Sequence, residues 1–214
     1  MKDTGITETV FIVEDDAGLR EGLIDLLDAA GVKSTCFSSA EDFVEHWTAD
    51  KAGCLLLDVR LPGMSGIELQ DRMAELGIAL PIIIMTAHGD IPMVRKALKA
   101  GAVEFLTKPF GGEELLSSVQ QAFNRDRILR QADTQMSTIQ ARFEMLTERE
   151  RQTLTLVAEG LTNKGIAEQL YLSVVTIKLH RGQVMRKMQA ESLADLVRMW
   201  EKIKPSGRGA PEAK

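Results

Sequence analysis

Apolar and polar positions over the first half of the chain follow two alternating periods. Short β-branched or aliphatic runs at 10–13, 54–57, 81–85 and 103–106 are separated by stretches with helical spacing. Such alternation predicts buried parallel strands joined by helices. Strands are expected near 9–13, 33–37, 53–57, 81–85 and 103–106, and helices near 17–30, 40–50, 65–76, 91–100 and from 113 onward. The first helix carries Leu19, Leu23, Leu26, Leu27 and Ala30 on one side, with Gly31 as its stop. Short connections then imply an α/β doubly wound sheet with right-handed crossovers.

Residues 113–143 contain neither proline nor glycine and have only a loose apolar stripe: Leu116, Val119, Phe123, Ile128, Ala132, Met136 and Ile139. Two readings stay open: a last helix followed by a solvated linker, or one continuous helix, which at about 1.5 Å per residue would span up to ~45 Å. An all-helical segment follows. Thr147-Glu148-Arg149-Glu150 has the form of a capping box, and Gly160 ends the helix it starts. Thr162 opens a short helix to about Leu170, Ser173 caps a third to about Met188, and a fourth covers 192–203. Residues 205–214 read as a disordered tail.

A length of 214 residues suits one large domain or two small ones, and 44% apolar with 27% charged residues is ordinary for a globular protein. No run approaches the ~20 apolar residues of a membrane span, and the N-terminus lacks a secretory signal. Cys36 and Cys54 fall in predicted strands and read as reduced, small apolar residues. A cytoplasmic protein is expected, without membrane contact. The net charge of -5 conceals an asymmetry: residues 1–112 carry 18 acids against 10 lysines and arginines, whereas 142–204 carry 8 against 11. Two modules with different partners are implied, nucleic acid being a candidate for the second.

The polar residues that end the apolar runs carry the candidate chemistry. Glu14 and Asp15 follow the first run, Asp58 the third predicted strand, Thr86 the fourth, and Lys108 the fifth. Ligands of open parallel sheets bind beyond the carboxyl ends of strands, so these groups should converge. Clustered carboxylates repel one another unless a cation sits between them, and all-oxygen ligation with open positions suits Mg2+. Lys108 supplies a positive point charge for a phosphate oxygen and Thr86 a hydroxyl for another. Asp58, with room in front of it, is the candidate nucleophile for an aspartyl phosphate.

Val13-Glu14-Asp15, the segment from Leu57 and Asp58 through Pro62 and Gly66, Thr86-Ala87-His88 and Lys108-Pro109-Phe110 resemble the receiver domain of two-component response regulators. The resemblance implies a flavodoxin-like fold with strand order 2-1-3-4-5, and phosphorylation of Asp58 by a sensor histidine kinase. It also implies Mg2+ ligation by Asp15, Asp58 and the Arg60 backbone carbonyl, with Glu14 acting through water. Thr86 and Lys108 would hold phosphoryl oxygens, and Lys108-Pro109 would be cis. Phe105 falls at the family's aromatic switch position, although an ordinary core ring fits the pattern equally well. Glu14 departs from the usual Asp; its longer arm still reaches a metal-bound water.

On the third helix of the rear segment, Ile177, Val184 and Met188 form a core stripe, and Val175, Lys178, Leu179, Gly182 and Arg186 share the opposite side. Arg181 and Lys187 flank that side, within reach of phosphates. Pattern alone leaves a recognition helix and a solvated basic face on equal terms. The segments starting at Leu146, Ala158 and Thr176 resemble the LuxR-type DNA-binding domain, and the whole chain is similar to FixJ/NarL-class transcriptional regulators. The implied organisation is a receiver over 1–122, a helical linker over 123–143, a four-helix helix-turn-helix domain over 144–204 and a tail over 205–214. The implied partners are a sensor histidine kinase, double-stranded promoter DNA, RNA polymerase and a second copy of the phosphorylated chain. Gly165 replaces a usual Glu, which removes the reciprocal partner of the Thr162 cap and predicts a marginal second helix. Gly182 leaves a gap on the groove face, shifting weight to backbone charge and DNA shape.

Two rivals remain. An Mg2+-dependent phosphatase would need a second Asp close after the nucleophile, where this chain has Arg60. A DNA-binding protein with an unswitched receiver would not need the complete acidic pocket. The reading is therefore of a non-enzyme that accepts a phosphoryl group. His46, His88 and His180 are too scattered for a metal site.

Overall fold

The computed structural model describes residues 7–87, 97 and 99–204. The expected helix over 91–100, His88 and the tail over 205–214 therefore lie wholly or mostly outside the described residues. The chain forms two compact units, Met1–Leu129 and Arg130–Lys214.

In the first unit, β1 (Glu8–Val13), β2 (Lys33–Phe37), β3 (Ala52–Asp58), β4 (Ile82–Thr86) and β5 (Glu104–Thr107) form one parallel sheet in the order β2-β1-β3-β4-β5. Each strand lies within a residue of its expected place. Successive side chains point to opposite faces of a sheet, and the two cores divide by that parity. Phe11, Val13, Leu55, Leu57 and Ile84 pack with Phe43 of α2 (Ala40–His46) and Leu69 of α3 (Gly66–Arg72). Val10, Ile12, Cys54, Leu56, Ile83 and Met85 pack with Leu23 and Leu27 of α1 (Ala17–Ala29), and with Leu115 and Val119 of α4 (Gly112–Glu144). β3 is buried at all seven positions, as a central strand covered on both faces must be. Both cysteines are free, Cys54 being buried.

Two helices are shorter than their periodicity suggests. α2 ends at His46 because Trp47 turns extended, at ψ 138°, and packs edge-on to Phe11 with centroids 5.8 Å apart. Beyond Arg72, the bonds from Met73 N to Gln70 O and from Gly77 N to Ala74 O tighten to three-residue spacing.

Of the two readings for 113–143, the continuous helix is the one observed: α4 runs for 33 residues without a break. Asp126, on its first-unit part, accepts a 3.0 Å bond from the backbone N–H of Gly53, and Arg127 pairs with Glu8. Residues 131–138 are exposed throughout, so little beyond the helix's own bonds and the contact of Lys202 Nζ with Gln135 Oε1 at 3.5 Å supports this stretch.

The second unit packs α5 (Glu148–Ala158), α6 (Asn163–Leu170), α7 (Val174–Met188) and α8 (Leu193–Ile203) around Leu154, Ile166, Ile177, Val184, Met188 and Leu196. Thr147, Thr162 and Ser173 cap their helices as expected, Ser192 caps the fourth rather than beginning it, and Thr147 and Glu150 make the full reciprocal box. At α6 the cap is one-sided: Thr162 Oγ1 accepts from Gly165 N at 3.3 Å, and a glycine side chain returns nothing.

A Cβ at Gly165 would meet only ordinary contacts, the nearest being Thr162 Oγ1 at 3.7 Å. Replacing this helical glycine should therefore stabilise by about 0.5–1 kcal/mol. Gly165→Glu, which also supplies the missing capping partner, is expected to raise the melting temperature of the second unit by several degrees. An unchanged transition would refute the account of α6 as marginal.

Candidate functional site

The parallel register brings the carboxyl ends of β1, β3, β4 and β5 level. Val13 pairs with Leu57, Asp58 with Met85, and Thr86 with Thr107. The ladder is prolonged when Lys108 N donates to Thr86 O at 2.8 Å, which carries the lysine side chain back over the sheet edge. The Lys108-Pro109 bond is cis.

The three acids after β1 separate by task. Asp16 caps α1, accepting from Leu19 N at 2.9 Å, while Asp15 is exposed and Glu14 is only 1% exposed. Carboxylate oxygens of Glu14, Asp15 and Asp58 lie within 4.8 Å of one another. Lys108 Nζ sits 2.6 Å from Glu14 Oε2 and 2.5 Å from Asp58 Oδ2. Burial pushes the Glu14 carboxyl above its ordinary range, and the Asp58 charge adds to this against the opposing lysine. Burial would lower the Lys108 ammonium, but bonds to Asp58 and Glu14 more than offset it, so the lysine stays protonated more firmly than usual. Asp58 Oδ1 accepts from Arg60 N at 3.0 Å, and Thr86 is buried at the end of β4. Phe105 is half-buried against the core that also holds Phe43 and Leu69, neither a fully enclosed ring nor a free one. Three close carboxylates suit a hard divalent cation.

Of three supporting residues, Arg20 and Glu41 carried no signal in the sequence, and Gly66 appeared there only within the quoted motif. Arg20 donates to the carbonyls of Glu14 and Asp15, at 2.7 and 2.9 Å, and so sets the β1–α1 turn. Glu41 accepts from Met64 N at 2.8 Å and holds the loop after Asp58. Gly66 lies so close that a Cβ there would come within 2.1 Å of the Asp58 carbonyl oxygen. An isolated surface arginine or glutamate has no periodic signature, and a motif glycine does not disclose what approaches it.

In the second unit, Val175, Lys178, Leu179, Gly182 and Arg186 of α7 are all exposed, opposite the buried Ile177, Val184 and Met188. Arg181 and Lys187 are engaged elsewhere. Arg181 donates to Asn163 Oδ1 at 2.7 Å, and Lys187 Nζ reaches Glu150 Oε2 at 2.7 Å and Met145 O at 3.2 Å. His180 is half-buried.

Residues 10–120 match the response regulator receiver domain, and residues 144–200 match the luxR family of bacterial regulatory proteins. Nodulation protein W of Bradyrhizobium diazoefficiens is 47% identical over 194 residues, covering 91% of this chain and 86% of that protein. Transcriptional regulatory protein FixJ of the same organism is 40% identical over 190 residues, covering 89% and 93%. The solved structure of response regulator StyR is 46% identical, with a TM-score of 0.81, covering 92% of this chain and 99% of that one. The chain is a two-component response regulator of the FixJ/NarL class. It joins a receiver to a LuxR-type DNA-binding domain and regulates transcription.

Within this response regulator, Glu150 is a charged group buried in the helical unit. It completes the α5 capping box and pairs with Lys187. Burial alone would raise its pKa; the Lys187 ammonium and the Thr147 N–H and hydroxyl outweigh this and hold it below its ordinary value of 4.5. A carboxyl depressed on folding contributes stability that is full above its unfolded pKa and lost as pH falls through the folded one. Glu150→Gln should therefore destabilise the second unit at neutral pH, by a margin that shrinks below about pH 4.5. Unfolding followed by Trp200 fluorescence in a Trp47→Phe background measures this. A margin constant from pH 7 to pH 3 would contradict it.

Proposed function

We propose that Asp58 is the phosphoacceptor through which a sensor histidine kinase switches DNA binding by the rear domain. The convergence of Glu14, Asp15, Asp58, Thr86 and Lys108 at one sheet edge carries this reading. An Asp58 carboxylate oxygen forms the new bond to phosphorus as the phosphorus–nitrogen bond of a phosphohistidine breaks and its electron pair leaves on the imidazole. Asp15 and Asp58 would hold a magnesium ion, with Glu14 through water and the Arg60 carbonyl; when bound, it supplies neutralisation of phosphoryl charge. Lys108, already against Asp58, swings its ammonium to pair with a phosphoryl oxygen. Thr86 donates its hydroxyl to another, and Phe105 repacks as that residue moves inward.

On α7, Val175, Lys178, Leu179, Gly182 and Arg186 form the proposed groove face. Arg181 and Lys187, first expected at phosphates, are better read as struts, because short charge-assisted bonds turn them toward Asn163 and Glu150. The receiver is taken over 1–122, the linker over 123–143 and the DNA-binding domain over 144–204. The chain acts in the cytoplasm at promoters that RNA polymerase also occupies, and it pairs with a second copy once phosphorylated. Arg60, standing where a phosphatase of this chemistry needs a second Asp, favours a regulator over an enzyme.

Acetyl phosphate with Mg2+ should add one phosphoryl group and increase both self-association and affinity for DNA. Intact-mass measurement should find no adduct on Asp58→Asn; an undiminished adduct would refute the site. Lys178→Ala is expected to weaken binding to a selected operator by about 1–3 kcal/mol if the lysine reads a base edge. Full affinity in that variant would remove Lys178 from the interface.

A further inference from the structure

Tyr171 is explained neither by the packing of the helical unit nor by the groove face of α7. It ends α6 at φ 55° and ψ 45°, a left-handed conformation that bulky residues rarely adopt. The helix stop requires that conformation: Leu172 N bonds back to Ala167 O at 3.0 Å, and Leu172 folds onto the core. Glycine usually closes this arrangement, as Gly160 does after α5 at φ 89°. A tyrosine adds strain that burial does not offset, since the residue is 95% exposed, more than any other exposed large apolar residue described. Gln189, which ends α7 at φ 54°, is also left-handed, but its polar side chain is at home in solvent. Strain retained without structural return points to function.

The position of Tyr171 narrows that function. Two residues later Ser173 caps α7, whose Val174, Val175 and Leu179 are also exposed apolar residues. In a helix-turn-helix the first helix crosses the DNA backbone, and the N-terminal end of the second enters the major groove. The residue between them meets the groove edge, where phosphate oxygens accept hydrogen bonds from tyrosine hydroxyls.

We propose that Tyr171 is a DNA-contact residue whose phenol O–H donates to a backbone phosphate beside the groove that α7 occupies. The proposal rests on the DNA-binding reading above. Its contribution is to orient α7 rather than to read sequence. A neutral donor displaces no counterion, so affinity changes at Tyr171 leave the salt dependence of binding unaltered.

Tyr171 is the single tyrosine of the chain, so 3-fluorotyrosine incorporation gives one 19F resonance from the full-length protein. The probe is a short duplex enriched from a random-sequence pool by protein treated with acetyl phosphate and Mg2+. The resonance should shift and broaden when this duplex binds. Tyr171→Phe should weaken binding roughly five- to tenfold at an unchanged salt slope. Tyr171→Gly should raise the melting temperature and weaken binding at least as much. An unmoved resonance on a bound duplex, or full affinity in both variants, overturns the contact and leaves the DNA-binding reading standing. Retention of no duplex by the wild-type chain sinks both.

Discussion

One ammonium between two carboxylates organises the receiver. Lys108 Nζ lies against Glu14 and Asp58, residues 94 and 50 positions away in sequence. Glu14 and Asp58 are buried at the sheet edge, where like charges close together would otherwise oppose folding. Breaking such a buried pair typically costs about 3–5 kcal/mol, because a desolvated charge is left without a partner. The sheet order makes the pair available: β1 and β3 are neighbours, and the β4–β5 ladder delivers the lysine from the far side. A divalent cation and a phosphoryl dianion bound there, as proposed, would alter the same charge balance among groups that already answer to one another.

That balance needs a rigid rim. Arg20 holds two carbonyls of the β1–α1 turn, Glu41 holds the loop after Asp58, and Gly66 lets α3 approach the Asp58 carbonyl without a side chain between. None of these residues belongs to the acidic cluster. Each removes freedom from a turn or loop beside the acidic cluster, which is how a site confined to strand ends becomes precise.

In the helical unit, charge works inward more than outward. Lys187 and Arg181 tie α7 to the N-terminal end of α5 and to α6, through Glu150 and Asn163. The exposed face of α7 is left with Lys178 and Arg186 among apolar residues. If this face meets DNA as proposed, so few cations would draw less on counterion release and more on contact and DNA shape. Tyr171, proposed as a further contact at the turn, would add a neutral donor to that face.

Alternating periods, caps and helix stops are local properties, so the chain alone determined the strands, nearly all helix starts and the parity that splits the two cores. Spacing between strand ends also made Glu14, Asp15, Asp58, Thr86 and Lys108 legible as a set, since any parallel α/β sheet gathers such residues on one edge. Whether 113–143 formed a helix stayed open in the sequence, because a weak apolar stripe favours neither state strongly. Only tertiary structure decided that Trp47 leaves its helix for the Phe11 ring, that Arg20 and Glu41 brace the rim, and that Arg181 and Lys187 turn inward. The physical reason is the same in each case. A periodic pattern records which face of an element is buried, whereas the partner of a long polar side chain is chosen by elements that meet only after folding.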